Sequence, residues 1–233
     1  MIVEIAALVG FFAGLSLLAC SSRAVKAFSL DYGVDFLSLL HIPRFPKGKY
    51  LLNRIMFKKL WRRFWLYSVL YGLGLAGAYA LLFSYAEPEP AVCLAVMLWV
   101  CALLGLIDRK VWLLPDFLTI PLLIGGLLAA FYFQPLVTME QSLWGALFGY
   151  AMPMLVASVM KYFSESPIGG GDVKALAALG AWFGAFWLNV MLVMSFVIFA
   201  FFVIKDGRKV GPYGPAMAFA AFITVLAKVL YDY

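Results

Sequence analysis

Charge is what this chain has least of. Asp, Glu, Lys and Arg make up 13% of its 233 residues, while 65% are apolar. An ordinary soluble domain carries roughly a quarter of its residues charged, so that class is excluded. Histidine is nearly absent, with His41 alone, and the three cysteines, Cys20, Cys93 and Cys101, form no CxxC pair. A zinc site therefore lacks ligands in both number and spacing, and no metal is expected. The cysteines read as small buried residues in apolar segments.

What fills the chain is long apolar runs. In lipid each run must satisfy its own backbone hydrogen bonds, so the class is all-α, a polytopic membrane helix bundle. Run lengths predict about eight transmembrane helices. They cover roughly 2–20, 64–85, 91–107, 117–133, 143–160, two within 173–204 turning near 180–187, and 216–231. Glu4 stands where a signal peptide would have its basic region, so the first run is read as a retained span. The chain divides into residues 1–90, with two spans and a large polar connection, and residues 91–233, with about six spans.

Arg23, Lys26, Arg44, Lys47, Lys49, Arg54, Lys58, Lys59, Arg62 and Arg63 all fall in or beside that connection, about 21–61. Such clustering is a positive-inside signal and predicts a cytoplasmic loop. Its partner is expected to be anionic lipid headgroups; no nucleic-acid recognition motif accompanies it, and no nucleic-acid partner is expected. Glu87, Glu89 and Glu140 mark turns without Lys or Arg, which are expected outside. Both termini are then outside, and Asp108 and Asp172 share the cytoplasmic face.

Those two aspartates lie at span ends, where a carboxylate is costly unless it faces a partner or water. Asp108 ends one apolar run and Asp172 opens another after glycines 169–171. The glycines leave a backbone free to take positive φ and to approach a neighbouring chain closely. Pro115 breaks the helix and predicts Asp116 as an N-cap. Gly211, Pro212, Gly214 and Pro215 make a third break on the same face, suggesting a shared cleft. Two adjacent carboxyl groups share a proton, one acting as acid and the other as base, and titrate as a unit. Lys174 is open to three roles: tuning the pair, binding a substrate carbonyl, or interfacial snorkelling.

Gly169-Gly170-Gly171-Asp172-Val173-Lys174, with Ala175 to Gly184 after it, resembles the GxGD signature of bacterial type IV prepilin peptidases. Asp108 with Leu114-Pro115-Asp116-Phe117-Leu118-Thr119-Ile120-Pro121 resembles that family's other aspartate motif. Gly211-Pro212-Tyr213-Gly214-Pro215-Ala216 resembles its third. All three in order, across roughly 91–229, carry far more weight than a lone GxGD.

The resemblance implies an aspartic endopeptidase of the bacterial inner membrane. It would cut the basic leader from type IV prepilins, or from the pseudopilins of type II secretion, at the cytoplasmic boundary. Asp108 and Asp172 match the catalytic pair. Asp116, Gly169, Gly171, Lys174, Gly211, Pro212, Gly214 and Pro215 are substrate-binding or supporting candidates. Many family members carry paired CxxC motifs in the first cytoplasmic loop, and this chain has none there. Many also methylate the new N-terminus; S-adenosylmethionine is then the cofactor, but no residue pattern here speaks for it, and proteolysis itself needs none. The basic leader would be repelled by the basic loop, so Glu165, Asp206 or the aspartate region are its expected contacts.

Two other classes compete. A small proton-coupled transporter also uses broken helices and buried acids, but it favours internal repeats and acids at mid-span. A structural component of a secretion machine would have no use for the acid pair. The specific substrate and the oligomeric state are not encoded in any recognisable pattern.

Overall fold

The computed structural model describes residues 2–29, 54–133, 137–160, 169–206 and 211–232. Seven helices run along them: α1 (Ile2–Ser29), α2 (Arg54–Tyr85), α3 (Pro88–Val111), α4 (Asp116–Tyr132), α5 (Met139–Met160), α6 (Gly170–Asp206) and α7 (Gly214–Asp232). Six are long and apolar enough to cross a membrane, and α4 is a shorter apolar helix. Large apolar side chains such as Leu155 (62%) and Val197 (63%) face outward. In water such a surface would aggregate; in lipid it is the expected exterior. The protein is an all-α, multi-pass membrane bundle.

The chain forms two compact units, Met1–Ser84 and Tyr85–Tyr233. In the first, α1 and α2 cross on glycine. A Cβ on Gly14 would lie 2.5 Å from Gly72 Cα, and one on Gly10 would lie 2.7 Å from Leu75 O. Gly10 and Gly14 are one turn apart, the small-xxx-small spacing that lets backbones approach in lipid. Both helices outrun the expected spans. α1 continues to Ser29, and α2 begins at Arg54, so Arg54, Lys58, Lys59, Arg62 and Arg63 belong to a helix, not to a loop. Arg and Lys are good helix formers, and nothing in 54–63 breaks the pattern. Residues 30–53, with His41, Pro43, Pro46 and Gly48, lie outside the described residues.

The second unit carries the aspartates. Glu87 occupies the N-cap position of α3 without a side-chain capping bond, and Pro88 stands in the first turn, where a missing N–H costs nothing. α3 ends on Trp112, which takes the left-handed conformation (φ 57°, ψ 38°) and bonds back to the Asp108 carbonyl at 2.8 Å. A short extended stretch through Pro115 then starts α4. α3 and α7 touch at Gly105, where a Cβ would sit 3.1 Å from both Gly214 O and Ala218 Cβ.

Eight helices are predicted and seven run along the described residues, because the predicted turn lies inside one element. α6 has 37 residues, which as a straight helix would span about 55 Å, well beyond a bilayer core of about 30 Å. Gly184, at φ 70° and ψ 172°, breaks it. The contacts show the chain reversing there. Before the break, α6 packs antiparallel to α5: Ser142 Oγ donates to Ala181 O at 2.7 Å, and Gly149 meets Leu176 and Ala177. After it, Trp187 stacks on Tyr231 and Phe202 on Phe219, so this arm runs antiparallel to α7. The predicted interval 180–187 therefore contains the reversal, without a separating loop.

Candidate active site

Asp108 and Asp172 lie at the same end of the second unit, close enough for the charge of one to act on the other. Asp108 sits in the last turn of α3 and is 5% exposed. A carboxylate so buried needs a donor, and Gly214 supplies it: its backbone N–H reaches Asp108 Oδ2 at 2.7 Å. That approach requires glycine. A Cβ on Gly214 would lie 2.7 Å from Asp108 Cβ and 2.8 Å from Oδ2. The glycine/proline break before α7 thus delivers a bare amide to the first aspartate.

Asp172 is half-buried in the first turn of α6. Its carboxylate takes a backbone hydrogen bond from Gly169, and its amide bonds to Gly169 O at 3.0 Å. Glycines 169–171 do not act through positive φ, as had been expected; among the described residues Gly184 is the glycine with that conformation. Gly170 has open space where a Cβ would be, whereas at Gly171 it would lie 3.0 Å from Leu114 Cβ and 3.2 Å from Leu114 O. Gly171 is small because the α3–α4 connection passes over it.

Asp116 is the first residue of α4, and Pro115 holds the N-cap position. The expected Asp116 cap is therefore corrected: its carboxylate turns away from its own helix and pairs with Lys174. Lys174 Nζ lies 2.8 Å from Oδ1 and 2.7 Å from Oδ2. Lys174 is thus neither on the dyad nor simply snorkelling.

Gly211 has ordinary van der Waals room beside Phe199 and Val203. Pro212 lies in the same approach to α7, and Pro215 is in its first turn, against Gly105. Between them Tyr213 is fixed by Phe196 and Phe199 and by a hydrogen bond with Ser195. Ser195 Oγ already donates to Leu192 O at 2.8 Å, so the tyrosine hydroxyl is the donor to Ser195. Burial raises the Tyr213 hydroxyl above its usual range, and the charge of Asp172 adds to the rise. The tyrosine stays a neutral donor beside the acid pair.

Sequence reasoning missed Gly105 and Ser195, and it gave no role to Leu114 and Tyr213, which stand inside the quoted motifs. Gly105, a glycine one turn before Asp108 in an apolar run, was the one available signal. Leu114 and Ser195 look like any other membrane residue. Glu165 lies outside the described residues.

Two carboxyl groups that feel one another's charge, one anchored by a main-chain amide, can hold a water between an acid and a base. The Type IV leader peptidase family matches residues 95–204, a stretch holding both aspartates. The Prepilin leader peptidase/N-methyltransferase of Dichelobacter nodosus is 35% identical over 148 residues, 62% of this chain and 51% of that protein. The protein of the same name from Pseudomonas aeruginosa is 32% identical over 145 residues, 58% of this chain and 49% of its own length. Leader peptidase HopD of Salmonella typhimurium is 35% identical over 133 residues, 52% of this chain and 84% of its own. The chain spans about half the length of the first two relatives. No solved structure matches it. The transporter alternative gains no support from these likenesses. The aspartate pair, the matched segment and the near-full coverage of HopD place the chain in the type IV leader peptidase family.

Proposed function

We propose that this protein is a membrane-embedded aspartic endopeptidase that removes the basic leader from type IV prepilins or type II secretion pseudopilins. The observation that carries the reading is that Asp108 and Asp172 lie at one end of the bundle within reach of each other's charge, with the Gly214 amide on Asp108. In the reaction one carboxylate takes a proton from water, and the water oxygen attacks the scissile carbonyl. The protonated partner donates its proton to the carbonyl oxygen, giving a tetrahedral gem-diol; as the C–N bond breaks, the first carboxyl passes the proton it took from water to the leaving amine, and the collapsing diol returns a proton to the partner. The amide of Gly214 stabilises the ionised form of Asp108 and fixes its orientation. No metal or organic cofactor enters this chemistry.

The enzyme belongs, in this reading, to the bacterial inner membrane. Its acid pair faces the cytoplasm, because the basic residues of 23–63 mark that side. The leader stays in water while the pilin helix stays in lipid, and the scissile bond lies between. Methyl transfer to the new N-terminus would require S-adenosylmethionine. Its occurrence is decided by the same assay with that cofactor added, where the product gains the mass of one methyl group.

The test is cleavage of a purified prepilin, read by mass spectrometry of the product's N-terminus. Asp108→Asn and Asp172→Asn each keep the side-chain shape and lose the titration. Each is expected to reduce cleavage below about one part in a thousand while insertion into the membrane is retained. Near-normal turnover by either variant would overturn the assignment.

A further inference from the structure

We propose that the Asp116–Lys174 ion pair is a strut that holds Asp172 in place, which makes Asp116 and Lys174 positioning residues of the site. The inference rests on the peptidase reading above.

Asp172 sits in the first turn of α6, where the leading N–H groups have no intrahelical partner and the chain is least constrained by its own helix. Its own segment supplies the Gly169 amide on the carboxylate and the bond of the Asp172 N–H to Gly169 O at 3.0 Å, but these tie Asp172 only to its own turn; the placing of that turn relative to Asp108 must come from outside. Two contacts supply it, one on each side of Asp172, and they reach Leu114 in the α3–α4 connection and Asp116 at the first position of α4. On one side Gly171 is pressed on Leu114, with only 3.0 Å left between a would-be Cβ and Leu114 Cβ. On the other, Lys174 reaches both oxygens of Asp116, at 2.8 and 2.7 Å. The chain from Leu114 to Asp116 is thus gripped on both sides of the second aspartate, while the end of α3 before it carries the first. The spacing of the two acids depends on this grip.

The pair is a poor candidate for a stability role. Its side chains are 47% and 53% exposed, and exposed ion pairs add little to folding. It is equally poorly disposed to read a basic leader, because both Asp116 oxygens are already engaged by Lys174. What an exposed but well-formed pair beside a dyad does well is fix geometry, to which catalysis is far more sensitive than folding is.

The experiment uses the full chain with a purified prepilin and measures kcat, KM and the thermal midpoint. The variants are Lys174→Met, Asp116→Asn, the double variant, Lys174→Arg and, alongside, Asp172→Asn. Each single removal is expected to lower kcat about tenfold, with KM within about twofold. The double variant should be no slower than the slower single, since both remove one interaction. Lys174→Arg can still pair with the carboxylate and should stay within about threefold of the parent. The thermal midpoint should not move. Wild-type kcat in the single variants, multiplying losses in the double, failure of Lys174→Arg, or a KM rise that tracks the leader's basic residues each overturns the strut. An inactive Asp172→Asn beside fully active single variants removes the strut alone. An active Asp172→Asn removes the peptidase reading and the strut with it.

Discussion

At Asp108 a backbone amide does the work that water does for an exposed carboxylate. Burying a carboxylate without a partner costs several kcal/mol, so the Gly214 N–H at 2.7 Å is a condition of the site, not an ornament. Three glycines near the aspartates then separate by what surrounds them. Gly214→Ala puts a carbon into the Asp108 side chain and should slow cleavage about a hundredfold. Gly171→Val meets Leu114 and should also cripple cleavage, while Gly170→Ala enters open space and should stay within about twofold of the parent. Cleavage rates of the three variants check this ordering; equal losses at 170 and 171 would contradict the contact account. The aspartates and the glycine motif were legible because acids at span ends and glycine beside them are rare in lipid. The reason for Gly171 was not legible, because Leu114 is an ordinary apolar residue until the fold brings it over the glycine. Asp116 was read as a cap because Pro115 precedes it; a cation far along the chain competes more strongly for its carboxylate than its own helix does.

The helices owe their arrangement to where side chains are missing. α5 and the first arm of α6 cross so closely that a Cβ on Gly145 would lie 2.1 Å from Gly180 O. In lipid there is no hydrophobic drive between helices, so close backbone packing of this kind is what holds them. Gly184 is a different case. Its φ of 70° and ψ of 172° fall in a region open essentially to glycine alone. Gly184→Ala should cost about 1–3 kcal/mol, read as a lowered unfolding midpoint in detergent. The aspartate pair sits at the far end of both arms, so residual activity at low temperature should persist. A midpoint equal to the parent's would show that the reversal does not depend on that conformation. Most spans could be read from length and hydropathy alone. The α6 reversal falls within the interval 180–187 where a turn is predicted, although apolar sequence gives no sign of whether such a turn is tight or open. The early start of α2 was hidden because charge marks a loop in a topology count while the same residues are good helix formers.

For the whole molecule the two ends of the second unit have opposite tasks. Asp108, Asp172 and Gly214 gather at one end, while Gly184, Trp187 and Tyr231 lie at the other. Lys110→Cys and Glu140→Cys, each in a background lacking Cys20, Cys93 and Cys101, should therefore react with a membrane-impermeant thiol reagent from opposite sides, position 110 from the cytoplasm. Labelling of both from one side would refute the shared-face topology. The order of the chain adds a matter of timing. Asp108 and Asp172 are synthesised before the amide that anchors the first of them. Gly214 follows Asp172 by roughly forty residues, a few seconds of synthesis at about 5–20 residues per second. Until α7 begins to form, Asp108 has no such donor, so the first carboxylate is anchored only after both acids are already in place.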